Sequence, residues 1–185
     1  MIEATIRLLR TSGLSGAGIN DVVRESGAPK GSVYHFFPRG KGQLASEALS
    51  AYSARVLEAM DAALASARTP AGKVKALFAA VARRAEGAGF RASCAVGTVS
   101  LDLTPELEDL RSLLSTSLAA WQAMIASHFP DADARTARSF AGLLLTGIEG
   151  AYIRSRVELT TDAFSETGRW LATLAPGSQS SRRPD

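Results

Sequence analysis

Apolar residues recur at spacings of three and four along most of the chain, which is the pattern of amphipathic α-helices. A short example is formed by Ile19, Val22 and Val23, and Gly27 follows it as a helix stop. No run of alternating valine, isoleucine or threonine indicates a strand. The sequence therefore predicts an all-α protein, with later helices over 41–68, 70–87, 96–101, 104–129, 132–157 and 162–174.

A second short helix is expected after Gly27, because Pro29 suits the first position of a helix. Its buried face is predicted to consist of Val33, Phe36 and Phe37. The opposite face would then present small and polar groups that can reach base edges and phosphates of DNA. The candidates for DNA contact are Asn20, Lys30, Gly31, Ser32, Tyr34, His35 and Lys41. The alternative is an ordinary pair of core helices, since such pairs are common in all-α proteins.

Residues 30–37 read KGSVYHFF, which resembles the recognition helix of the TetR family of transcriptional regulators. Residues 93–102 read SCAVGTVSLD, which resembles the LmrA/YxaF-like subgroup of that family. The resemblance implies a three-helix helix-turn-helix DNA-binding head at 1–43 and a C-terminal helical ligand-binding and dimerisation bundle at 44–175. It also implies a homodimer that represses from a palindromic operator in double-stranded DNA and is released by a small hydrophobic or aromatic inducer.

The net charge of the chain is too small to indicate DNA binding by itself. Only the positions of the cationic residues in the sequence favour it. The net charge is +3, and residues 1–50 carry six cationic and four anionic side chains, a balance of +2.

The single cysteine excludes an intramolecular disulfide. There is no signal-peptide pattern and no apolar run long enough for a membrane span, so a cytoplasmic protein without a membrane partner is expected. The polar tail at 176–185 is predicted to be disordered.

A ligand pocket is implied by the resemblance, and the residues offer candidates to line it. Aromatic rings and pliable sulfur-containing side chains accept apolar molecules. The candidates are Phe78, Phe90, Cys94, Trp121, Met124 and Tyr152. Ordinary core packing is the alternative for each of them, and Cys94 could instead act as a redox sensor.

Several glycines interrupt the helix predicted over 132–157. Each interior glycine costs about 1 kcal/mol relative to alanine, so close approach of two helices is expected to offset the cost. The resemblance implies that the last two helices pair with those of a second copy. The candidates for this dimer interface are Phe140, Leu144, Gly147, Ala151, Phe164, Trp170 and Leu171. The alternative is that these residues close the core of the monomer.

The chain lacks the residue sets of helical enzymes and metal carriers. It has two histidines, one cysteine, no Glu-x-x-His motif and no phosphate-binding loop, so no catalytic residue, metal or cofactor is expected. Two rivals to a ligand-responsive regulator stay open. One is a small-molecule-binding protein with weakened or lost operator binding. The sequence starts at Met1 within the first predicted helix, so the basic arm that is usual in the family either lies upstream of Met1 or is absent. The other is a DNA-binding protein without an effector.

Overall fold

The computed structural model describes residues 1–177, which form nine α-helices and no strand. The all-α prediction is therefore confirmed. None of these helices is long and apolar enough to cross a membrane. Most of the tail that was predicted to be disordered, residues 178–185, lies outside the described residues. The helices are α1 (Ile2–Ser12), α2 (Ile19–Ser26), α3 (Lys30–Phe36), α4 (Lys41–Ala65), α5 (Pro70–Gly87), α6 (Ala95–Ser100), α7 (Glu108–Ser127), α8 (Ala134–Glu158) and α9 (Asp162–Thr173).

The helices group into two compact units. The N-terminal unit contains Met1–Arg55 and Ala92–Leu118, and the C-terminal unit contains Val56–Arg91 and the described residues from Ala119. Helices α4 and α7 each contribute residues to both units. The division of function that the sequence predicts, between a head at 1–43 and a bundle at 44–175, stays a prediction.

The core of the N-terminal unit joins α1, α2, α3 and the start of α4. It contains the buried side chains of Ala4, Val22, Val33, Phe37 and Leu44. A hydrogen-bonded ion pair between Arg55 on α4 and Glu3 on α1 closes the unit on its surface. The guanidinium lowers the pKa of the Glu3 carboxyl below its ordinary value. Helix α3 contributes Val33 to the core described above, so one apolar face holds this helix to the rest of the unit.

One residue assigned to that apolar face was predicted wrongly. Val33 and Phe37 are buried, but Phe36 is 61% exposed. One step along a helix turns the side chain by about 100°, so Phe36 points well away from Phe37. Its ring lies edge-on to the ring of His35, with 4.9 Å between the centroids. The exposed side of α3 is accordingly more aromatic than the sequence pattern predicts.

Helix ends follow local rules in most places. Gly27 adopts a left-handed φ of 68° after α2, and its N–H donates to the Val23 carbonyl at 3.0 Å. The Thr69 hydroxyl accepts the N–H of Gly72 at 3.1 Å, with Pro70 as the first residue of α5. Pro29 differs slightly from its prediction, because it precedes the first turn of α3 as the N-cap residue.

Helix α7 begins at Glu108, four residues after the predicted start at Thr104. The N–H of Leu107 donates to the Thr104 carbonyl at 3.1 Å, which closes a turn with Pro105 in its second position. The fixed φ of proline suits that position of a turn as well as it suits the start of a helix. The sequence signal at Thr104 was therefore real, but it marks a turn before the helix.

Close contacts between helices define the C-terminal unit. Phe78 on α5 and Phe164 on α9 are both fully buried. A Cβ placed on Gly168 would lie 2.7 Å from the Phe78 Cβ, so α5 and α9 approach closely at this glycine. The Tyr152 ring stands edge-on to Phe164, with 5.2 Å between the centroids. A glycine here permits packing that no larger residue allows.

We expect Gly168→Ala to destabilise the protein by about 1–3 kcal/mol, because the added methyl group collides with the buried Phe78 side chain. Gly87→Ala is the matched control, since a Cβ at Gly87 meets no atom within 4 Å. Chemical denaturation of both variants measures the effect. Equal stability of the two variants would contradict the packing described for α5 and α9.

Candidate nucleic-acid interface

The predicted DNA-contacting residues lie mostly on the exposed side of α3 and beside it. Lys30, Gly31, Tyr34 and His35 are exposed, and Ser32 is half-buried. A Cβ at Gly31 would meet nothing within 4 Å, so this point of the helix surface is open. Two further candidates lie on neighbouring helices, where Asn20 is exposed and Lys41 is half-buried. The face they form combines hydrogen-bond donors, aromatic rings and one position without a side chain.

The turn after α3 fixes the start of α4. The N–H of Gly40 donates to the Phe37 carbonyl at 2.7 Å, and Gly40 takes a left-handed φ of 65°. The Arg39 N–H donates to the Gln43 side-chain oxygen at 3.1 Å, and the Gln43 amide nitrogen donates to Glu47 at 2.9 Å. This local network fixes the position of Lys41, the first residue of α4, directly after the turn that follows α3.

Ion pairing divides the cations of this unit into two groups. Arg7 pairs with Glu25 at 2.9 Å, and Arg24 pairs with Asp21 at 2.6 Å. Within residues 1–177, the remaining three cations near α3 form no ion pair with a carboxylate; they are Lys30, Arg39 and Lys41. Unpaired cations on both sides of α3 are available to phosphate oxygens.

Two residues of this surface were not among the predicted contacts. Arg39 is exposed in the turn after α3, and Phe36 projects from the helix itself. The position of Arg39 in a short loop next to Lys41 was a usable signal in the sequence. Phe36 carried no such signal, because an aromatic residue beside Phe37 reads as core.

The segment around α6 packs on α1 within the N-terminal unit. The backbone N–H of Ser93 donates to the Arg10 carbonyl at 2.9 Å, and Arg10 Nε donates to the Ser93 carbonyl at 3.0 Å. The Thr98 hydroxyl donates to the Leu9 carbonyl at 2.7 Å. The stretch that resembles the LmrA/YxaF-like subgroup therefore belongs structurally with the helix-turn-helix.

The predicted pocket residues are distributed between the two units. Phe78, Trp121 and Tyr152 are buried in the C-terminal unit, where Phe90 and Met124 are half-buried. Cys94 is buried in the N-terminal unit as the N-cap residue of α6. Both Phe78 and Tyr152 contact residues of α9, as described above. Core packing therefore occupies part of these side chains, and their role in lining a pocket stays a prediction.

The predicted dimer residues also fall into two classes. Four of them are buried in the protomer: Phe140, Leu144, Ala151 and Phe164. A Cβ at Gly147 would lie 3.0 Å from the Leu171 side chain, so these two residues meet within the protomer. Trp170, by contrast, is 65% exposed. Three large apolar residues of α8 are also exposed, namely Leu143, Ile153 and Val157.

The histidine outside α3 has a structural setting. His128 Nε2 lies 2.7 Å from an Asp61 carboxylate oxygen, and the His128 carbonyl accepts a hydrogen bond from Lys73 Nζ at 2.7 Å. These contacts tie the end of α7 to α4 and α5 inside the C-terminal unit. Within residues 1–177, no group of three or more His, Cys, Asp or Glu side chains is placed to hold a metal ion.

Comparison with protein-family models identifies both parts of the chain. Residues 1–48 match the model for bacterial regulatory proteins of the tetR family. Residues 70–169 match the model for the C-terminal domain of LmrA/YxaF-like transcriptional regulators. The second match covers more than half of the 185 residues and includes the segment around α6.

Individual relatives agree with these models. The transcriptional regulator AcuR of Cereibacter sphaeroides is 31% identical, over 94% of this chain and 84% of AcuR. The transcriptional regulator YxaF of Bacillus subtilis is 29% identical, over 68% of this chain and 66% of YxaF. Both are named as transcriptional regulators, which confirms the prediction that the chain is not an enzyme.

Solved structures share the fold. A regulatory protein TetR from Rhodobacter sphaeroides superposes with a TM-score of 0.83 at 26% identity, over 94% of this chain and 96% of that one. A cysteine mutant of the regulator CifR, complexed with 26-bp operator DNA, has a TM-score of 0.81 at 18% identity, over 95% and 94% of the two chains. The chain therefore belongs to the TetR family of transcriptional regulators, in the subgroup with an LmrA/YxaF-like C-terminal domain.

Proposed function

We propose that this regulator binds a palindromic operator in double-stranded DNA as a homodimer and acts as a repressor. A small hydrophobic or aromatic inducer releases it from the operator. Its place of action is the cytoplasm, where bacterial DNA is accessible to it. The observation that carries the proposal is the exposed face of α3, which presents small and polar groups between unpaired cations.

Each residue of this face has a role in the proposed complex. Lys30 and Ser32 donate hydrogen bonds to base edges, and Gly31 allows the helix to approach the major groove closely. Tyr34 and His35 reach phosphate oxygens, and Lys41 adds a charge directed at the backbone. Asn20 contributes a further polar contact from α2. In the proposed complex, the residues that contact base edges are therefore different from those that contact phosphates.

A dimer supplies the second recognition helix, since helix-turn-helix proteins bind two half-sites about one turn of DNA apart. The exposed apolar residues of α8 recur at helical spacing at Leu143, Ile153 and Val157. A Cβ at Gly150 would meet no atom within 4 Å, so a second helix can approach there. Trp170 on α9 and Leu174, the residue directly after α9, extend the apolar surface. We define these six residues as the dimer face.

Ligand response requires a movable link between the two units. Helix α4 is continuous over 25 residues and contributes to both units. A ligand that tilts α4 would change the separation of the two recognition helices and weaken binding to one of the half-sites. A coupling free energy of about 1–3 kcal/mol corresponds to a change of about 5- to 150-fold in operator affinity.

We expect the double variant Tyr34→Ala, Lys41→Ala to lose about 30-fold in affinity for the operator, because each change removes a contact to phosphate. The salt dependence of binding also becomes shallower, by about one counterion per lost cationic contact. Lys75→Ala is the charge-matched control, since Lys75 is exposed on α5 of the other unit. Fluorescence anisotropy at two salt concentrations measures both effects.

The operator for this titration is a duplex selected from a random library by the wild-type protein. If the wild type selects no duplex above competitor DNA, the repressor proposal fails and a small-molecule-binding protein without an operator replaces it. If the double variant and the control bind equally well, α3 is not the recognition helix. Compounds that lower the affinity of the wild type for the selected duplex identify the inducer class.

A further inference from the structure

The turn between α1 and α2 is held by a side chain from far along the chain. The Ser15 N–H donates to one carboxylate oxygen of Asp102 at 3.0 Å. The Ser15 hydroxyl lies 3.3 Å from the other carboxylate oxygen, within hydrogen-bonding reach. Both residues belong to the N-terminal unit. Asp102 lies two residues after the end of α6, so it ends the segment whose Ser93 and Thr98 already bond to α1.

Gly13 leaves the space that this carboxylate occupies. A Cβ at Gly13 would lie 2.5 Å from an Asp102 carboxylate oxygen, which is closer than real Cβ atoms approach other atoms. Gly13 also has a left-handed φ of 68°, which glycine adopts without strain. Glycine at position 13 therefore leaves room for the Asp102 carboxylate and also suits the backbone conformation of the turn.

The bond from the Ser15 N–H to Asp102 is shorter than the backbone hydrogen bonds within the turn. The Gly16 N–H donates to the Ser12 carbonyl at 3.3 Å, and the Ala17 N–H donates to the Leu14 carbonyl at 3.3 Å. Both distances exceed the usual 2.9–3.0 Å for such bonds. Asp102 therefore supplies the turn with an acceptor from outside it.

We propose that Asp102 is a positioning residue for DNA binding. Its carboxylate fixes the conformation of the turn after α1. That conformation sets the direction of α2 and thereby the position of the α2–α3 pair. Asp102 itself does not contact DNA in the proposed complex. The inference rests on the proposed function. It assigns to the segment at 93–102, which resembles the subgroup, a structural role in the N-terminal unit.

Three variants test this inference. Asp102→Ala removes the acceptor, and we expect it to lower affinity for the selected duplex about 10-fold. Asp102→Asn removes the same charge, but its amide oxygen accepts the Ser15 N–H and its amide nitrogen donates to the hydroxyl. We expect it to retain most of the wild-type affinity. Gly13→Ala displaces the carboxylate without any change of charge and also strains the backbone at a φ of 68°, so it should lose at least as much affinity as Asp102→Ala.

Two readouts separate positioning from a general loss of structure. Hydrogen exchange of peptides covering residues 13–26 should be faster in Asp102→Ala than in Asp102→Asn, with circular dichroism spectra unchanged. In the Gly13→Ala, Asp102→Ala double variant, the loss of affinity should be smaller than the product of the single losses, because both act on one contact.

Equal operator affinity of Asp102→Ala and the wild type would overturn the inference. Equal impairment of the alanine and asparagine variants would also overturn it, because the charge would then be the cause. A wild type that selects no duplex would instead overturn the proposed function from which the inference starts. The two failures are thus distinguished by the wild-type titration alone.

Discussion

The double substitution Ile153→Arg, Val157→Arg is expected to make the protein monomeric and to lower its affinity for a two-half-site operator at least about 100-fold. Ile153 is 68% exposed and Val157 is 78% exposed, one helical turn apart on α8. In a dimer of the proposed kind, both side chains would be buried against a second copy, where an unpaired guanidinium is costly. The folded protomer keeps them in solvent and should tolerate the change.

The expected size of the effect follows from tethering. When one subunit is bound to its half-site, the second subunit meets the other half-site at a high effective concentration. Tethering of this kind raises overall affinity by about 100- to 10,000-fold over a single contact. Arginine is the informative replacement, because added positive charge by itself favours DNA binding. A loss of affinity can then be attributed to the lost dimer.

Sedimentation velocity and anisotropy on the selected duplex measure the two consequences. Leu118→Arg is the control, since Leu118 is an exposed apolar residue of α7 outside the dimer face. It should remain dimeric and bind like the wild type. A double variant that sediments as a dimer would show that the apolar face of α8 and α9 is not the interface.

The helices themselves were largely predictable, because their signals are local. Gly27 and Thr69 mark helix ends through their own backbone and side-chain chemistry. Thr104 shows the limit of such signals, since a Thr-Pro pair suits both a turn and the start of a helix. Only the hydrogen bond between Leu107 and Thr104 decides between them.

The direction of apolar side chains was harder to predict. Helix α8 carries apolar residues around much of its circumference, and Leu143 and Leu144 are equivalent in the sequence pattern. In the structure, Leu144 is fully buried and Leu143 is 45% exposed. Periodicity does not say which neighbour a face meets, and four of the residues predicted for the dimer interface are buried within the protomer. The same limit applies to Phe36 on α3.

Contacts between distant parts of the chain left no trace in the sequence pattern. Asp102 and Ser15 are 87 positions apart, and nothing in either local sequence announces their hydrogen bond. Resemblance to the LmrA/YxaF-like subgroup marked the segment around α6 as characteristic, but it did not say what the segment contacts. Its place in the N-terminal unit depends on tertiary packing alone.

Gly31→Leu is expected to separate folding from DNA binding. A Cβ at Gly31 meets no atom within 4 Å, so the fold has room for the larger residue. Leucine also favours a helix over glycine by up to about 1 kcal/mol, so thermal unfolding should occur at an unchanged or higher temperature. The variant should therefore keep or gain thermal stability while it loses affinity for DNA.

DNA binding should fall about 100-fold or more in the same variant. Gly31 occupies the second position of α3, between Lys30 and Ser32, where the proposed complex brings the helix closest to the base edges. A leucine side chain would hold the helix away from the groove and break the hydrogen bonds of its neighbours. Each good base contact contributes about 1–3 kcal/mol to discrimination, so losing two accounts for the effect.

The control is Gly87→Leu, which places the same side chain at an open glycine of α5 in the other unit. It should bind the selected duplex like the wild type. Affinity of Gly31→Leu for unrelated DNA should fall less than affinity for the selected duplex, because unspecific binding depends on cations that remain in place. If Gly31→Leu bound the selected duplex normally, the start of α3 would lie outside the major groove, and base reading would have to be assigned to other residues.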